Sequence, residues 1–510
     1  MTDSIDWAAT VKAFSASNVV NFGDANNHYV FNKTAFTNDN QKIIGNFATI
    51  RQVKSGTQIF DTSNKANNYF SGIKFVGMGT ADFANSAGSR SDGIYAYSAN
   101  NLVVENCLFE DLSHSSLTCV KSTIVRFKNN IVTGLGAANL TDIDSHSNVG
   151  LVIDRESSNV IVSSNTMTDL AMGMQTGNLC SNVRIEKNFI ARIKGQHAFY
   201  LGASQTNVAV VSNQVDTTSL SGIKIQTYDE ESRDSVNIII ANNTVLNAGA
   251  DGILVDSTSP AHNFNTTDVT ITGNTVRNSG QNGINARYLR KGVIADNIVD
   301  IAARDGIAYD GAIDVIIDNN IVSNAGNNGI IETVASTRCT ISNNKVTDCA
   351  VNNKSGNRFG IFIPTNATEL TLKDNTITDT HSKMQYGVFF ESGDIATISV
   401  VGNTVKGATD AGLRKVATNV PFKYYANNIF KGVLGSTIGV DSVPYQMGNT
   451  GRMFFASSMP SSGSFIQGDY VTNNAPSISA NSVVVGWLRI TTGSNHVLNT
   501  DWVAIKQSTV

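Results

Sequence analysis

The chain has 510 residues, and its 41 acidic and 37 basic side chains leave a net charge of −4, without the basic excess typical of nucleic-acid binding. Charged residues make up only 15% of the chain, while Asn, Thr, Ser, Val, Ile and Gly dominate, which favours strands and turns over helices. No run of about 18 apolar residues occurs, so a membrane-inserted protein is not expected.

The N-terminal segment, residues 1–60, is predicted to be a cap. Its opening, "MTDSIDWAATVKAF", lacks a basic start followed by an apolar core, so we expect no signal peptide and synthesis in a cytoplasm. The following "YVFNKTAFTNDNQKIIGNFATI" indicates strands and turns. An open end of a repeat protein needs such a cover.

Asparagines recur through the middle of the chain with gaps of 23 to 35 residues, and each is followed two positions later by a large apolar residue. This agreement far exceeds the 41% hydrophobic background and indicates a repeat. The asparagines are Asn106, Asn130, Asn165, Asn188, Asn213, Asn243, Asn274, Asn297, Asn320, Asn344, Asn375, Asn403 and Asn428.

Short strands lie between these asparagines and open with a small residue followed by an apolar one, as in "DGIYAYS", "DGILVDS", "NGINARY" and "DGIAYDG". They alternate with period two, as strands with one buried face do. A further strand precedes each asparagine, as in "DVIIDNN". Units of about 25 residues with strands and no helical period predict an all-β, right-handed parallel β-helix of about 13–14 coils over residues 61–435.

The asparagines are expected at the turns between strands, because Asn and Gly adopt a left-handed backbone at the least cost. Stacked coils would place them about 4.8 Å apart, close enough for their amides to form a hydrogen-bonded ladder. Coils of this kind, with Gly-Ile strands and Asn turns over about residues 40–433, resemble the pectate-lyase-like β-helix proteins. That fold hosts lyases, hydrolases, epimerases and adhesins.

Past the repeat, residues 436–510 are predicted to form a small β module. The run "PSSGSFIQGDYVTNNAP…GWLRITTGSNHVLNTDWVAI" resembles the C-terminal modules of bacteriophage tailspike and tail-fibre proteins. This resemblance implies a module for trimerisation or carbohydrate binding. It also implies a homotrimer on a phage tail or baseplate, acting outside the cell on a bacterial surface polysaccharide. The virion-attachment segment normal for the family is not identifiable, which leaves the mode of attachment open.

Aligned on their glycines, the short strands place Asp256, Arg287 and Asp310 in one outward column. Asp256 and Asp310 would then lie two coils apart, about 9.6 Å between backbones at 4.8 Å per coil. Inverting glycosidases separate their carboxyl groups by about 6.5–9.5 Å. We therefore predict Asp256 and Asp310 as general acid and base, in either order. Arg287 would bind an acidic sugar or hold one carboxylate ionised. A solvated Asp-Arg-Asp ladder remains the alternative.

Substrate-binding residues are predicted from neighbouring strands and turns: Arg287, Lys224, Tyr200, Tyr288, Gln226 and Asn285. A lyase would use a cation on the uronate carboxylate and a base near its α-proton. Lys224, Arg287, and Tyr200 or Tyr288 satisfy that need, with Arg290 and Lys291 nearby in sequence. The aromatics Tyr200, Tyr288, Phe362 and Phe389 are expected to be exposed, either stacking on sugars or filling space between subunits.

No cofactor and no metal ion are expected, because no calcium-ligand cluster is readable. The five cysteines form no CxxC pair and are expected to be buried free thiols. The sequence thus favours a phage tailspike depolymerase that hydrolyses capsular, exo- or O-antigen polysaccharide, with neither nucleic acid nor membrane as partner. Two alternatives stay open: a polysaccharide lyase on the same scaffold, and a non-catalytic glycan-binding adhesin or receptor-binding spike.

Overall fold

Short strands make up nearly all the regular structure of this computed structural model. It describes residues 5–79, 91–134, 148–227, 234–257, 266–352, 358–364, 366–391, 397–415, 422–432, 445–446, 452–461, 465, 467–479 and 481–508. The chain divides into two units, residues 1–316 and 317–510.

The first unit begins with the helix α1 (Ile5–Ala16) and continues with strands only among its described residues. In chain order these are β1 (Val19–Asp24), β2 (His28–Phe31), β3 (Ala35–Phe36), β4 (Lys42–Gln52), β5 (Phe60–Asp61), β6 (Tyr69–Val76), β7 (Ile94–Tyr97), β8 (Asn100–Glu105), β9 (Leu108–Glu110), β10 (Leu117–Val120), β11 (Thr123–Lys128), β12 (Ile131–Thr133), β13 (Val149–Asp154), β14 (Ser158–Ser163), β15 (Thr166–Thr168), β16 (Met172–Thr176), β17 (Ser181–Glu186), β18 (Phe189–Ile193), β19 (Phe199–Leu201), β20 (Thr206–Val211), β21 (Gln214–Thr218), β22 (Ile223–Thr227), β23 (Ser235–Ala241), β24 (Thr244–Ala248), β25 (Ile253–Ser257), β26 (Thr266–Thr272), β27 (Thr275–Ser279), β28 (Ile284–Arg287), β29 (Leu289–Ala295), β30 (Ile298–Ala302), β31 (Ile307–Asp310) and β32 (Ile313–Asp318), which contains the boundary.

The second unit carries shorter strands of the same kind and then a separate sheet. In chain order these are β33 (Ile321–Ser323), β34 (Ile330–Glu332), β35 (Thr340–Ser342), β36 (Lys345–Thr347), β37 (Phe359–Ile363), β38 (Thr371–Lys373), β39 (Thr376–Thr378), β40 (Tyr386–Phe390), β41 (Ser399–Val401), β42 (Thr404–Ala408), β43 (Ala411–Lys415), β44 (Tyr424–Ala426), β45 (Ile429–Gly432), β46 (Tyr445–Gln446), β47 (Arg452–Ala456), β48 (Tyr470–Asn473), β49 (Ile478–Ser479), β50 (Ser482–Arg489) and β51 (Trp502–Ser508).

The repeat strands pair in parallel with their counterparts one coil away. In the first unit, stack A contains the Gly-led strands from β7 through β10, β13, β16, β19, β22, β25 and β28 to β31. Stack B runs from β8 through every third strand to β29, and stack C runs likewise from β9 to β30. The second unit repeats the three stacks from β34, β35 and β33 onwards. The protein is therefore an all-β, right-handed parallel β-helix, as predicted from its sequence.

Burial alternates along each stack A strand because successive side chains point to opposite faces. In β25, Ile253 and Val255 point into the interior and are fully buried, whereas Asp256 points outward. The glycine before the strand is required by a close approach between coils. A Cβ at Gly252 would lie 2.2 Å from Val276 Cγ1 and 2.7 Å from the carbonyl oxygen of Gly283. The Gly-apolar motif is thus a packing requirement.

The asparagines form the predicted ladder within each unit. Asn243 is typical: its Nδ2 donates to Val210 O at 2.8 Å and to Asn274 Oδ1 at 3.0 Å. Its own Oδ1 accepts from the Asn213 backbone N–H at 2.9 Å. The rungs are Asn130, Asn165, Asn188, Asn213, Asn243, Asn274 and Asn297 in the first unit, and Asn320, Asn344, Asn375, Asn403 and Asn428 in the second.

Two details of the asparagine prediction are wrong. The left-handed residue is the one before each rung, such as Asn242 with φ 55°, and the rung asparagines do not have positive φ. Asn106 is itself such a left-handed residue, and Cys107 occupies the rung position, where its N–H donates to Asn130 Oδ1 at 2.9 Å. The rungs are asparagine because a backbone donor and a backbone acceptor must both be satisfied inside the turn.

The N-terminal segment contains a helix, which the predicted strands and turns did not include. α1 is rich in alanine, a strong helix former. Trp7 Nε1 donates to Thr34 O at 3.0 Å, and Asp6 Oδ2 accepts from the Val30 N–H at 3.0 Å. Phe14 is buried and lies 6.0 Å from the Phe60 ring. No helix in the described part of the chain has the length and apolar character needed to cross a membrane.

The C-terminal strands β46 to β51 form a small sheet in which all pairs are antiparallel except β47 with β48. Phe465, Val471, Trp487 and Trp502 form its core. The Arg489 guanidinium lies 5.2 Å from the Trp502 ring and is buried with it. A small C-terminal β module was predicted. The bounds 1–60, 61–435 and 436–510, and the module's role, stay predictions.

Candidate functional site

The outward face of stack A, from β19 to β31, carries every predicted site residue except Tyr288. The strand register pairs Asp256 with Arg287 and Arg287 with Asp310. Arg287 Nη1 lies 3.7 Å from Asp256 Oδ1, and its Nε lies 3.9 Å from Asp310 Oδ2. The two carboxylates therefore stand two strand spacings apart, on either side of one guanidinium.

The three charged side chains differ in exposure. The Asp256 and Asp310 side chains are 13% and 10% exposed, whereas Arg287 is 43% exposed. The Arg287–carboxylate separations exceed hydrogen-bond length, and exposed ion pairs of this kind stabilise a fold little. The guanidinium consequently keeps donors for a ligand on this face, beside two carboxylates that are shielded from bulk water.

Tyr200, Lys224 and Gln226 lie on the neighbouring strands β19 and β22. Lys224 is in register with Tyr200, and its Nζ lies 5.8 Å from the centre of the Tyr200 ring. Tyr200 Oη donates to Gln226 Oε1 at 3.3 Å. Gln226 in turn is in register with Asp256. Burial lowers the pKa of Lys224 below its ordinary value, while the nearby Asp256 opposes that shift.

His197 supports this group from behind and was not singled out in the sequence. Its ring is stacked 5.8 Å from that of Tyr200, and its Nδ1 accepts from the Ser221 N–H at 3.1 Å. Burial, and after it the charge of Lys224, lowers the pKa of His197 to about 3. The ring is therefore neutral near pH 7 and carries its proton on Nε2.

A third carboxylate, Asp251, was missed. It is 4% exposed; its Oδ1 accepts from the Asn282 N–H at 3.0 Å and its Oδ2 from Asn285 Nδ2 at 3.4 Å. Burial raises the pKa of Asp251. A sequence signal for it exists: several Gly-apolar strands carry Asp or Asn directly before the glycine, namely Asp92, Asp251, Asn282, Asp305 and Asn328.

Asn285 is on the outward face of β28, two residues before Arg287, and is only 1% exposed. Its Oδ1 is buried and has no hydrogen-bond partner in the part of the chain that the structure describes. Its neighbours in the strand register, Leu254 and Ala308, are apolar. A buried amide oxygen without a donor costs free energy, which makes this atom a candidate for ligand contact.

The remaining candidates lie elsewhere. Tyr288 follows β28 in a left-handed conformation, φ 54°, with its ring against Gly311. Arg290 and Lys291 belong to β29 in stack B and not to the stack A face. The expectation that Phe362 and Phe389 are exposed is wrong: they are 6% and 7% exposed, with rings stacked 5.4 Å apart. Strand period predicts which face a side chain is on, but not what covers that face.

Metal-binding potential was examined across the described residues, and no group of three or more His, Cys, Asp or Glu side chains there is arranged to hold a metal ion. The five cysteines are free and buried, as predicted. Burial raises the pKa of the Cys107 and Cys180 thiols to about 12, so both stay protonated. What the stack A face offers instead is two shielded carboxylates, two cations, a neutral amide acceptor and an aromatic ring.

Comparison with known proteins agrees with the fold. A family model described as a right-handed beta helix region matches residues 228–357 and 263–429. No curated protein matches the chain.

Solved structures that resemble the chain have diverse descriptions. The catalytic unit of a thermostable GH87 α-1,3-glucanase from Streptomyces thermodiastaticus shares 15% identity over 72% of this chain and 65% of its own, with a TM-score of 0.46. PfbA, a surface adhesin of Streptococcus pneumoniae, shares 15% over 82% and 91%, with a TM-score of 0.48. Tailspike protein 3 of bacteriophage CBA120 shares 11% over 91% and 63%, with a TM-score of 0.42. The chain thus spans less than two thirds of the glucanase and of the tailspike, and these similarities concern the fold only.

Proposed function

We propose that this protein is a phage tailspike depolymerase that binds a bacterial surface polysaccharide and hydrolyses its glycosidic bonds. The observation that carries the proposal is the strand register of Asp256, Arg287 and Asp310. It puts two carboxylates about 9.6 Å apart at the backbone, on one face. Their side chains both approach Arg287, which brings the carboxyl groups into the range that inverting glycosidases use.

In the proposed reaction one carboxylate is the base and the other carboxyl is the acid. The base removes a proton from a water molecule as the water oxygen bonds to the anomeric carbon. The glycosidic carbon–oxygen bond breaks, and the acid gives its proton to the leaving oxygen. Exchange with solvent then restores both groups. Arg287 contacts an acidic substituent of the sugar, because a guanidinium is suited to bidentate contact with a carboxylate.

The binding surface for the chain of sugars is the rest of the same face. Tyr200 offers an aromatic ring, Lys224 a cation, and Gln226 and Asn285 amide groups. Tyr288 lies at the edge of the Arg287 strand. Homotrimerisation, attachment to a phage tail or baseplate, and a virion-tail location belong to the same proposal, with the C-terminal sheet serving trimerisation or carbohydrate binding. No cofactor is required for this chemistry.

A polysaccharide lyase is the second candidate, and one observation favours it. Because burial lowers the pKa of Lys224, this side chain reaches its neutral, basic form at a lower pH than an ordinary lysine. A neutral lysine takes a proton from the carbon next to a uronate carboxylate, while Arg287 holds that carboxylate. The glycosidic bond then breaks with formation of a carbon–carbon double bond in the sugar.

A panel of purified capsular polysaccharides tests the proposal. Hydrolysis yields shorter chains with new reducing ends and no new ultraviolet absorbance. Elimination yields shorter chains with an unsaturated, ultraviolet-absorbing sugar. Binding to a polysaccharide without any change in its chain length would contradict both enzymatic readings and indicate an adhesin. The size distribution by gel filtration and the absorbance spectrum are the two measurements.

A further inference from the structure

The residue before the glycine of each stack A strand has a structural task. Its side chain accepts a hydrogen bond from a backbone N–H of the next coil. Asn282 Oδ1 accepts from the Asp305 N–H at 3.2 Å, and Asn328 Oδ1 accepts from the Phe359 N–H at 3.1 Å. His197 and Asp251 do the same for Ser221 and Asn282. A single neutral acceptor is sufficient for this task.

Asp251 meets the requirement with a carboxylate, in a position that is 4% exposed. Burying a carboxylate costs more free energy than burying an amide, because the charged form loses more hydration. An asparagine, as at positions 282 and 328, would satisfy the same backbone donor at lower cost. The carboxylate therefore serves a purpose that an amide does not serve.

That purpose is visible in its second oxygen. Oδ2 accepts from Asn285 Nδ2 at 3.4 Å. An ionised carboxylate only accepts hydrogen bonds, so the nitrogen of the Asn285 amide must face it and the oxygen must face away. This oxygen is the buried Oδ1 that lacks a donor partner among the described residues. Its neighbours Leu254 and Ala308 have no polar side-chain atom to offer.

We propose that Asp251 is a positioning residue that holds the Asn285 amide with its oxygen towards the stack A face, where it accepts a hydrogen bond from a sugar hydroxyl of the polysaccharide. This inference rests on the proposed function. Asn285 precedes Arg287 by two residues on one face of β28, so the hydroxyl belongs to a sugar bound next to the cleavage position. Asn285 thereby determines specificity, and Asp251 acts through it.

The isosteric variant Asp251→Asn separates this role from a structural one, because the two roles predict opposite signs. The new side chain still accepts from the Asn282 N–H through its oxygen. Its new amide nitrogen donates to Asn285, whose amide turns so that its oxygen is satisfied internally. The free protein loses a buried charge and an unsatisfied acceptor, so we expect its Tm to equal or exceed that of the wild type.

The experiment uses full-length protein and the purified capsular polysaccharide that the wild type cleaves in the panel. For Asp251→Asn we expect KM to rise about 3- to 10-fold, the effect of one lost hydrogen bond, while kcat changes less than about twofold. Asn285→Ala should give the same increase. The double variant should equal Asn285→Ala alone, since one residue acts through the other. Asp154→Asn, an outward aspartate four strands from Asp256 in stack A, is the matched control and should keep the wild-type KM.

Three outcomes would overturn the inference. The first is a lower Tm of Asp251→Asn with an unchanged KM, which means a structural role only. The second is independent, multiplying effects of the two substitutions. The third is an Asn285→Ala variant with the wild-type KM. In all three the wild type still cleaves its polysaccharide, so the proposed function stands. If the wild type cleaves nothing in the panel, the proposed function fails and this inference fails with it.

Discussion

Asp256 and Asp310 lie on either side of a single guanidinium, at 3.7 Å and 3.9 Å from Arg287, although 54 residues separate them in the chain. The parallel stacking of coils brings them together. Neither carboxylate is within hydrogen-bond distance of Arg287, so the arrangement leaves room for a ligand to contact all three groups.

Removing either carboxylate is expected to stop cleavage while preserving binding. For Asp256→Asn and Asp310→Asn we expect kcat to fall by about 10² to 10⁴-fold, the usual contribution of a general acid or base. Affinity for the polysaccharide, measured by surface plasmon resonance, should stay within about threefold of the wild type. Full cleavage by both variants would refute the assigned roles, and Asp154→Asn serves as the control for the amide substitution.

Arg287 is expected to require its planar shape as well as its charge. In Arg287→Lys one ammonium replaces a fork that faces both carboxylates, and we expect kcat/KM on an acidic polysaccharide to fall about tenfold. Arg287→Met removes the charge as well and should cost about 100-fold. Steady-state kinetics on the cleaved polysaccharide, with thermal melting as the folding check, measure both. Equal activity of Arg287→Lys and wild type would show that only the charge matters.

Lys224 is expected to make binding of an acidic polysaccharide depend on pH. Because burial lowers its pKa, Lys224 is charged below that pKa and loses its proton at a lower pH than an ordinary lysine. Affinity, measured with the non-cleaving Asp310→Asn variant, should fall as pH rises through this value. Lys224→Met in that background should weaken binding about tenfold near pH 7 and remove the pH dependence.

The control for Lys224 is Lys345→Met, which removes an exposed lysine on β36. It should bind with the affinity of its parent at each pH. If Lys224→Met also keeps the affinity of its parent, then Lys224 does not contact the polysaccharide.

His197 is expected to make folding stability fall in acid. Its pKa is about 3 in the folded protein and about 6.5 in an unfolded chain. Below about pH 6.5 the unfolded chain therefore binds a proton that the folded protein does not bind. This contribution to the free energy of unfolding is fully present above about pH 6.5. It falls by about 1.4 kcal/mol per pH unit as pH drops towards about 3.

The variant His197→Asn isolates this effect, because asparagine fills the equivalent position at Asn282 and provides the same acceptor. Urea unfolding at pH 7, 5.5 and 4.5 should show a smaller loss of stability for the variant than for the wild type, by one proton in the slope. Identical slopes would mean that His197 takes up its proton in the folded state.

The asparagine ladder is expected to carry much of the stability of the coils. Asn243→Ala deprives Val210 O and the Asn213 N–H of their partners in a buried turn. At about 1–3 kcal/mol for each unsatisfied group, we expect a loss of about 3 kcal/mol or more. Asn237→Gly removes an exposed amide hydrogen bond at a left-handed position and is the control. Its loss in urea unfolding should stay below about 1 kcal/mol, and equal losses would contradict a structural ladder.

Much of this architecture could be predicted because it leaves a local mark in every coil. The strand period and the rung asparagines such as Asn243 recur often enough to fix the fold, and the shared glycine placed Asp256, Arg287 and Asp310 in one column. The one-residue error at Asn106 arose because an asparagine suits both the rung and the left-handed residue before it.

Other features depend on contacts that no single coil contains. Asp251 was missed because its role depends on Asn285, 34 residues later, and on which atom of that amide faces it. The burial of Phe362 and Phe389 depends on what covers an outward face, and strand alternation carries no information about that. The helix at Ile5–Ala16 lies outside the repeat, so the period does not describe it.

Each rung of the asparagine ladder forms the same bonds to its two neighbours as every other rung, so the protein has a natural unit of growth. Removing the whole segment from Asn213 up to, but not including, Asn243 would let the remaining rungs meet with every bond re-formed. A single inserted residue inside β23 or β24 would instead turn inward side chains outward. Descendants of this chain are thus free to lengthen or shorten by full turns, and with them the number of sugars that the surface spans, while changes of one residue are confined to the loops between strands.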